Sequence, residues 1–203
     1  MGIDDEEITW LFCIRRTLMQ MLRDRNYLVE DCEINMTKQQ FIDANHAQKM
    51  RKYPTTLYFT AAKRNDDSDQ ICVFFSAEKD SSGVDNMLRP SMKAIVVFKE
   101  KLPNINKLRR QCGAEIFQEE ELLVNVTEHA LVPKHEVLTE EEKKALLEFY
   151  NISDSQWAAG LPWIRTTDPI ARYYGLRRGQ VVKITRHSEL EGQSVIYRCC
   201  SHS

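Results

Sequence analysis

Leu11, Ile14, Leu18, Met21 and Leu22 recur at intervals of three and four, which gives the segment one apolar face and predicts an amphipathic helix with that stripe in the core. Asn26 is its expected left-handed stop. Thr37 and Gln40, just ahead of Phe41 and Ile42, form a capping-box pattern for a second helix. The period then changes. Residues 55–62 and 70–75 are β-rich runs, and the polar group Asn65, Asp66, Asp67 and Ser68 between them predicts a hairpin turn. Residues 94–98 are continuously apolar, as in a strand buried on both faces, and Ile116-Phe117 and residues 122–126 suggest further short strands.

Near Thr127 and Glu128 the strand pattern gives way to a loop rich in histidine and proline, which predicts a boundary between domains 1–127 and 128–203. In the second part Thr139 and Glu142 form another capping box, with Ala145, Leu146 and Phe149 as the expected buried side of the helix. Asp168 followed by Pro169 starts a further helix, since the carboxylate can cap free N–H groups and proline is pre-set for the first helical position. Gly175 ends it after little more than one turn. A tight turn at Arg178-Gly179 leads into Val181, Val182 and Ile184, a short strand buried on at least one face, and Glu191-Gly192 turns back into residues 194–198. The fold class expected is α+β: an N-terminal α/β domain and a small C-terminal α+β domain with a short mixed sheet.

The chain of 203 residues can bury one large or two small cores. Its net charge of −2 argues against a surface that grips nucleic acid everywhere, so any DNA contact is local. No apolar run approaches about 18 residues, which excludes a spanning helix, and no membrane partner is expected. Asp4, Asp5, Glu6 and Glu7 have the wrong charge for a signal or transit peptide. The cysteines (Cys13, Cys32, Cys72, Cys112, Cys199 and Cys200) include no C-x-x-C pair, so reduced thiols are expected and neither a disulfide framework nor a zinc site. His129 and His135 flank Pro133 at a spacing that suits no metal site, which assigns them structural roles. With no nucleotide-binding or nucleophile motif either, the expectation is no cofactor and no catalysis. Charge is unevenly placed: between Arg165 and His187 stand Arg165, Arg172, Arg177, Arg178, Lys183 and Arg186 against the single acid Asp168. A patch dominated by arginine suits docking to carboxylates of a partner or to phosphates.

The order of cap, turn and strand in TDPIARYYGLRRGQVVKI (residues 167–184) resembles the C-terminal signature of the fifth subunit of the nuclear RNA polymerases, a family with archaeal polymerase relatives. NVTEHALVPKHEVLT (125–139) is similar to the segment that opens the family's C-terminal domain. TLMQMLRDRNY (17–27) and MTKQQF (36–41) resemble plant versions in particular, and RNDDSDQICVFF (64–75) and AIVV (94–97) match N-terminal strands. The resemblance implies a non-catalytic nuclear subunit of polymerases I, II and III. It implies a C-terminal domain anchored to the largest subunit among other polymerase subunits, and an N-terminal jaw domain of endonuclease-like topology beside downstream double-stranded DNA. Asp168, Pro169, Arg172, Tyr173, Gly175, Arg178, Gly179 and Gln180 are the residues this assigns to partner binding. Lys99, Lys101, Pro103, Asn104 and Lys107 are assigned to a DNA-proximal loop, where lysines neutralise phosphates without reading sequence.

Some features depart from that pattern. Only residues 85–93, with Pro90 among them, lie between Val84 and Ala94, where the family usually has a helix of several turns. WAAGLPW (157–163) is longer than the usual link, and His187 replaces a common proline. One alternative is therefore a diverged paralogue in a plant silencing polymerase. A free-standing nuclease-like DNA-binding protein is the other, but a nuclease needs an acidic residue and then Glu-x-Lys on the next strand. Here Asp66, Asp67 and Asp69 precede Ser76-Ala77-Glu78-Lys79, without the spacer, and Glu141-x-Lys143 falls on an expected helix.

Overall fold

The computed structural model describes residues 5–46, 59–76, 93–99, 114–152, 160–188 and 192–201, and the chain divides into two compact units, Met1–Val124 and Asn125–Ser203. Outside the described residues lie the basic stretch 49–52, the start of the run at 55–62, residues 77–79 and 85–92, the loop with Lys101, Pro103, Asn104 and Lys107, Cys112, residues 157–159 and Glu191.

In the first unit, α1 (Asp5–Asp24) places Asp5, Glu6 and Glu7 in its first turn, where they complement the helix dipole. The expected stripe is buried: Leu11, Ile14, Leu18, Met21 and Leu22 all face inward. Asn26 has φ 68°, and the Tyr27 N–H returns to the Leu22 carbonyl at 2.9 Å, closing the C-terminus. A short α2 (Asp31–Ile34) leads to α3 (Lys38–His46). The expected box starts α3: Thr37 N donates to Gln40 Oε1 at 2.9 Å and Gln40 N to Thr37 Oγ1 at 3.2 Å.

Strands β1 (Phe59–Lys63), β2 (Asp66–Ser76), β3 (Lys93–Phe98) and β4 (Glu115–Gln118) form one sheet in that order, antiparallel at β1/β2 and parallel beyond. Residues 94–98 of β3 are all buried, as a strand covered on both faces requires. Two expectations need correction. The turn between β1 and β2 is not the polar group 65–68: Asp66 already pairs with Lys63, and only Arg64 and Asn65 make the turn. Asp69 is held in extended backbone by Lys93 Nζ at 2.6 Å. Residues 122–126 form no strand. Glu121 Oε2 accepts from Gln118 N at 2.8 Å, winding α4 (Glu119–Leu122), and Asn125 Oδ1 accepts from Thr127 N at 2.9 Å, capping the 3₁₀ turn Val126–Glu128. Side-chain caps on both sides outweigh the β-propensity of Leu122, Val124 and Val126.

The second unit contains β5 (Lys134–Val137), α5 (Glu140–Phe149), β6 (Trp163–Arg165), α6 (Pro169–Tyr173), β7 (Val181–Ser188) and β8 (Gly192–Ser201). The strand order is β5-β7-β8-β6, with β6 parallel to β8 and the other pairs antiparallel, so the sheet is mixed and the class is α+β. One side packs Ile164, Val182, Ile184 and Cys200 with Ala171 and Leu176; the other packs Val181 and Cys199 with Leu147 and Leu161. Thr139 Oγ1 accepts from Glu142 N at 3.2 Å and Thr139 N donates to Glu142 Oε2 at 2.9 Å, the expected box for α5. Its buried face differs from expectation: Leu147 is the buried residue, Leu146 is half-buried, Ala145 is exposed and Phe149 is 78% exposed. The reason is non-local, since the phase is set by Leu161, Val181 and Cys199, which receive Leu147.

Candidate functional site

The segment from Asp168 to Gln180 forms a frame in which most backbone N–H groups have a named partner. Asp168 Oδ1 accepts from Ile170 N at 2.8 Å, Pro169 needs no partner, and Arg172 N donates to the Asp168 carbonyl at 2.9 Å. At the other end Gly175, at φ 61°, donates to the Arg172 carbonyl at 3.0 Å, and Leu176 N reaches back to Ala171 O at 2.8 Å. That pair of bonds is a Schellman motif, and the buried Ala171 and Leu176 reinforce it.

The turn that follows is clamped from both sides. Gln180 N donates to Arg177 O at 3.1 Å while Gln180 Oε1 accepts from Arg177 N at 2.7 Å, and Gly179 takes φ 90°. Gly179 N donates to Cys200 O at 2.9 Å and Cys200 N to Gln180 O at 2.8 Å, which fastens the turn to β8. Tyr173 is buried and its hydroxyl accepts from Asn125 Nδ2 at 3.2 Å. Tyr174 donates its hydroxyl proton to the His135 carbonyl at 3.1 Å.

Of the residues assigned to partner binding, Pro169 and Arg178 are exposed, Asp168, Arg172, Gly175, Gly179 and Gln180 are half-buried, and Tyr173 points inward. Arg165 and Arg177 are exposed beside them. Among the described residues Arg165, Arg177 and Arg178 make no ion pair. Sequence reasoning missed Asn125, whose side chain serves both the 3₁₀ cap and Tyr173; the spacing Asn125-x-Thr127, typical of a side-chain turn, is the signal that could have found it.

The titratable groups here are structural. Burial holds His135 below the ordinary imidazole range; Arg198 and Arg186 push the same way, against the Pro133 carbonyl and Asp168. Its Nδ1 lies 2.6 Å from Pro133 O, and His129 Nδ1 accepts from Leu131 N at 3.2 Å. Burial, with Cys199 and Asp168 nearby, pushes the Cys200 thiol up to about 11, and Cys199 is raised by burial too, which makes both poor nucleophiles. Among the described residues no three His, Cys, Asp or Glu side chains gather as a metal-holding group, and no helix is long and apolar enough to cross a membrane. Of the DNA-proximal set only Lys99 is described, and its Nζ lies 2.7 Å from Glu7 Oε1.

Each of the two units contains a match to a known sequence family. Residues 124–200 match RNA polymerase Rpb5, C-terminal domain, and residues 5–93 match RNA polymerase Rpb5, N-terminal domain. The chain belongs to the RNA polymerase Rpb5 family. It is 40% identical to "DNA-directed RNA polymerases I, II, and III subunit rpabc1" of Dictyostelium discoideum, over 96% of this chain and 99% of that one. It is 39% identical to the RPABC1 subunit of the same three polymerases from Caenorhabditis briggsae, over 96% and 98%. Identity is 34% with "DNA-directed RNA polymerases IV and V subunit 5B" of Arabidopsis thaliana, over 94% of this chain and 89% of that one. The Rpb5 C-terminal match contains the whole frame from Asp168 to Gln180, so its caps and clamped turn lie within the family's own domain.

Proposed function

We propose that the chain is a shared, non-catalytic subunit of the nuclear RNA polymerases I, II and III. The observation that carries this reading is the order of both Rpb5 domains along one chain, with near full-length relatives that bear the names of those three enzymes. A role in a plant silencing polymerase is less favoured, because the relative named for polymerases IV and V is less similar.

In this reading the second unit anchors the chain to the largest subunit. Arg177 and Arg178 on the clamped turn, and Arg165 at the end of β6, support that role: all three are exposed and make no ion pair among the described residues, and the backbone of the turn is fixed before binding, so little backbone order is lost on docking. The first unit is the jaw domain beside downstream duplex DNA, with Lys99, Lys101 and Lys107 around Pro103 and Asn104 supplying charge without sequence reading. In this reading catalysis belongs to the complex, and the described carboxylates Asp168, Glu121 and Glu142 serve helix caps and Asp69 an ion pair.

Purification of the tagged chain from its own cells tests the reading. Recovery with the largest subunits of polymerases I, II and III is the expected result. Recovery with a silencing polymerase alone would transfer the chain to that complex, and recovery as a lone protein would refute the subunit role.

A further inference from the structure

The two edges of the second unit's sheet are built differently. At one edge β5 is short, follows Pro133, and carries Lys134 and Glu136 paired at 2.7 Å. Brevity, proline and charge are devices that keep a sheet edge from pairing with another chain. The first part of β8 has none of them: residues 192–197 include no charge and no proline, and their register with β7 runs unbroken from Gly192 to Tyr197. Val195 is 41% and Ile196 36% exposed.

β6 covers only the end of this edge. It pairs with Cys199, Cys200 and Ser201, and Cys199 N donates outward to the Pro162 carbonyl at 2.8 Å. Alternate residues of an antiparallel strand direct both backbone groups to the same side, so Tyr197, Val195 and Gln193 also point theirs outward. The ladder to β6 stops at Pro162, which has no N–H to offer the Tyr197 carbonyl. Among the described residues nothing pairs with Gln193, Val195 or Tyr197 on that side.

The side chains beside this edge have a definite character. Val195 and Tyr197 share one face of the sheet; Ile196 and Arg198 share the other. On the Ile196 face, Arg186 stands opposite Ser194, and the buried Nε of Arg198 has no hydrogen-bond partner among the described residues. Both arginines lie close enough to His135 to act on its titration, and Asp168 is the acid that opposes them there.

We infer that the edge of β8 at residues 193–197, which has no strand partner among the described residues, receives an extended segment of a neighbouring polymerase subunit as an added strand, with an aliphatic side chain beside Val195 and a carboxylate on the face of Ile196 and Arg198. The inference rests on the subunit reading above. Main-chain bonds to the outward groups of Gln193, Val195 and Tyr197 supply affinity, and the alternate side-chain positions supply selectivity. The carboxylate is selected by the guanidinium groups of Arg186, opposite Ser194, and of Arg198, whose buried Nε has no hydrogen-bond partner among the described residues.

Val195→Pro tests this directly, because it removes an outward N–H and obstructs an added strand while leaving the bonds to β7 intact. Tagged wild-type chain and V195P are recovered from cells and their polymerase subunits quantified, with circular dichroism as the check on folding. The expected result is a folded variant that recovers about tenfold less polymerase. If V195P fails to fold, V195K takes its place, since an edge lysine blocks pairing without altering backbone geometry. As a second measurement, hydrogen exchange in residues 192–198 of the wild-type chain should slow on assembly, by about two to three amides. A folded variant recovered at the wild-type level, or a segment that exchanges equally fast free and assembled, overturns the added strand alone. A wild-type chain that recovers no polymerase subunit overturns the functional reading first and the added strand with it.

Discussion

Charge is handled differently in the two units, and the contrast separates cations paired within the chain from arginines that make no ion pair among the described residues. In the first unit the described cations are largely matched from within. Arg25 grips Glu115 with two bonds of 2.9 and 2.7 Å, Arg15 meets Glu33, Lys38 meets Asp5 at 2.9 Å, Lys93 meets Asp69 and Lys99 meets Glu7. In the second unit Arg165, at the end of β6, and Arg177 and Arg178, on the clamped turn, stand exposed without ion pairs among the described residues. Most surface ion pairs stabilise a fold by at most about 1 kcal/mol, so neither arrangement decides folding. What differs is the capacity left over for binding.

Core packing should dominate stability if that is right, and the largest effect expected is on α5. Leu147→Ala removes the side chain seated between Leu161, Val181 and Cys199 and should destabilise the second unit by about 2–5 kcal/mol. Phe149→Ala, two residues on but 78% exposed, should change stability by no more than about 0.5 kcal/mol. Denaturant unfolding of the two variants checks both; equal losses would mean that α5 packs on its Phe149 face.

Reversing the charge of Arg177 and Arg178 comes next. Arg177→Glu with Arg178→Glu should leave the denaturation midpoint almost unchanged yet lower recovery of the largest polymerase subunit about tenfold or more, because like charges would then face the anionic groups that an arginine patch suits. Lys38→Glu in the first unit, which breaks a pair already satisfied within the chain, is the matched control and should leave recovery near normal. Equal losses in the two variants would erase the contrast between the units.

Asp168→Ala probes the frame itself, and its effect should be smaller. Loss of the 2.8 Å cap to Ile170 N should cost about 1 kcal/mol, with Asp168→Asn recovering most of it, since asparagine is an equally good cap. A recovery defect that D168N does not restore would give the carboxylate a role in docking beyond capping.

The cap at Asp168 belongs to the part of the structure that was legible in the sequence. Thr37 with Gln40, Thr139 with Glu142, and Asp168-Pro169 with Gly175 all form as the pattern predicts, because a cap is decided within four or five residues. The misses involve decisions made elsewhere in the chain or by caps less familiar in type. The buried face of α5 is chosen by strands and a loop far along the sequence, and Asp66 joins β2 because Lys63 pairs with it across the turn. Residues 122–126 looked like a strand by propensity, and only the side chains of Glu121 and Asn125 redirect them. At the candidate site the backbone frame was legible, but the inward turn of Tyr173 was not: its partner, Asn125, is remote in sequence.

The smallest effect expected is in the proposed DNA-proximal loop, and here the pairing of Lys99 sharpens what the lysines should do. Each lysine that neutralises a phosphate contributes at most about 0.9 to the log–log salt slope of DNA binding, whatever the sequence bound. Lys99, held 2.7 Å from Glu7, must give up that pair before it can serve a phosphate, so Lys99→Glu alone should move the slope less than Lys101→Glu or Lys107→Glu. Glu7→Gln, by releasing Lys99, should steepen the slope slightly. The measurement is the affinity of assembled polymerase for downstream duplex at several salt concentrations, with subunit content verified for each variant. A triple Lys99, Lys101 and Lys107 reversal that leaves the slope unchanged would place this loop away from DNA, and the first unit's charge would then serve the fold and its neighbours alone.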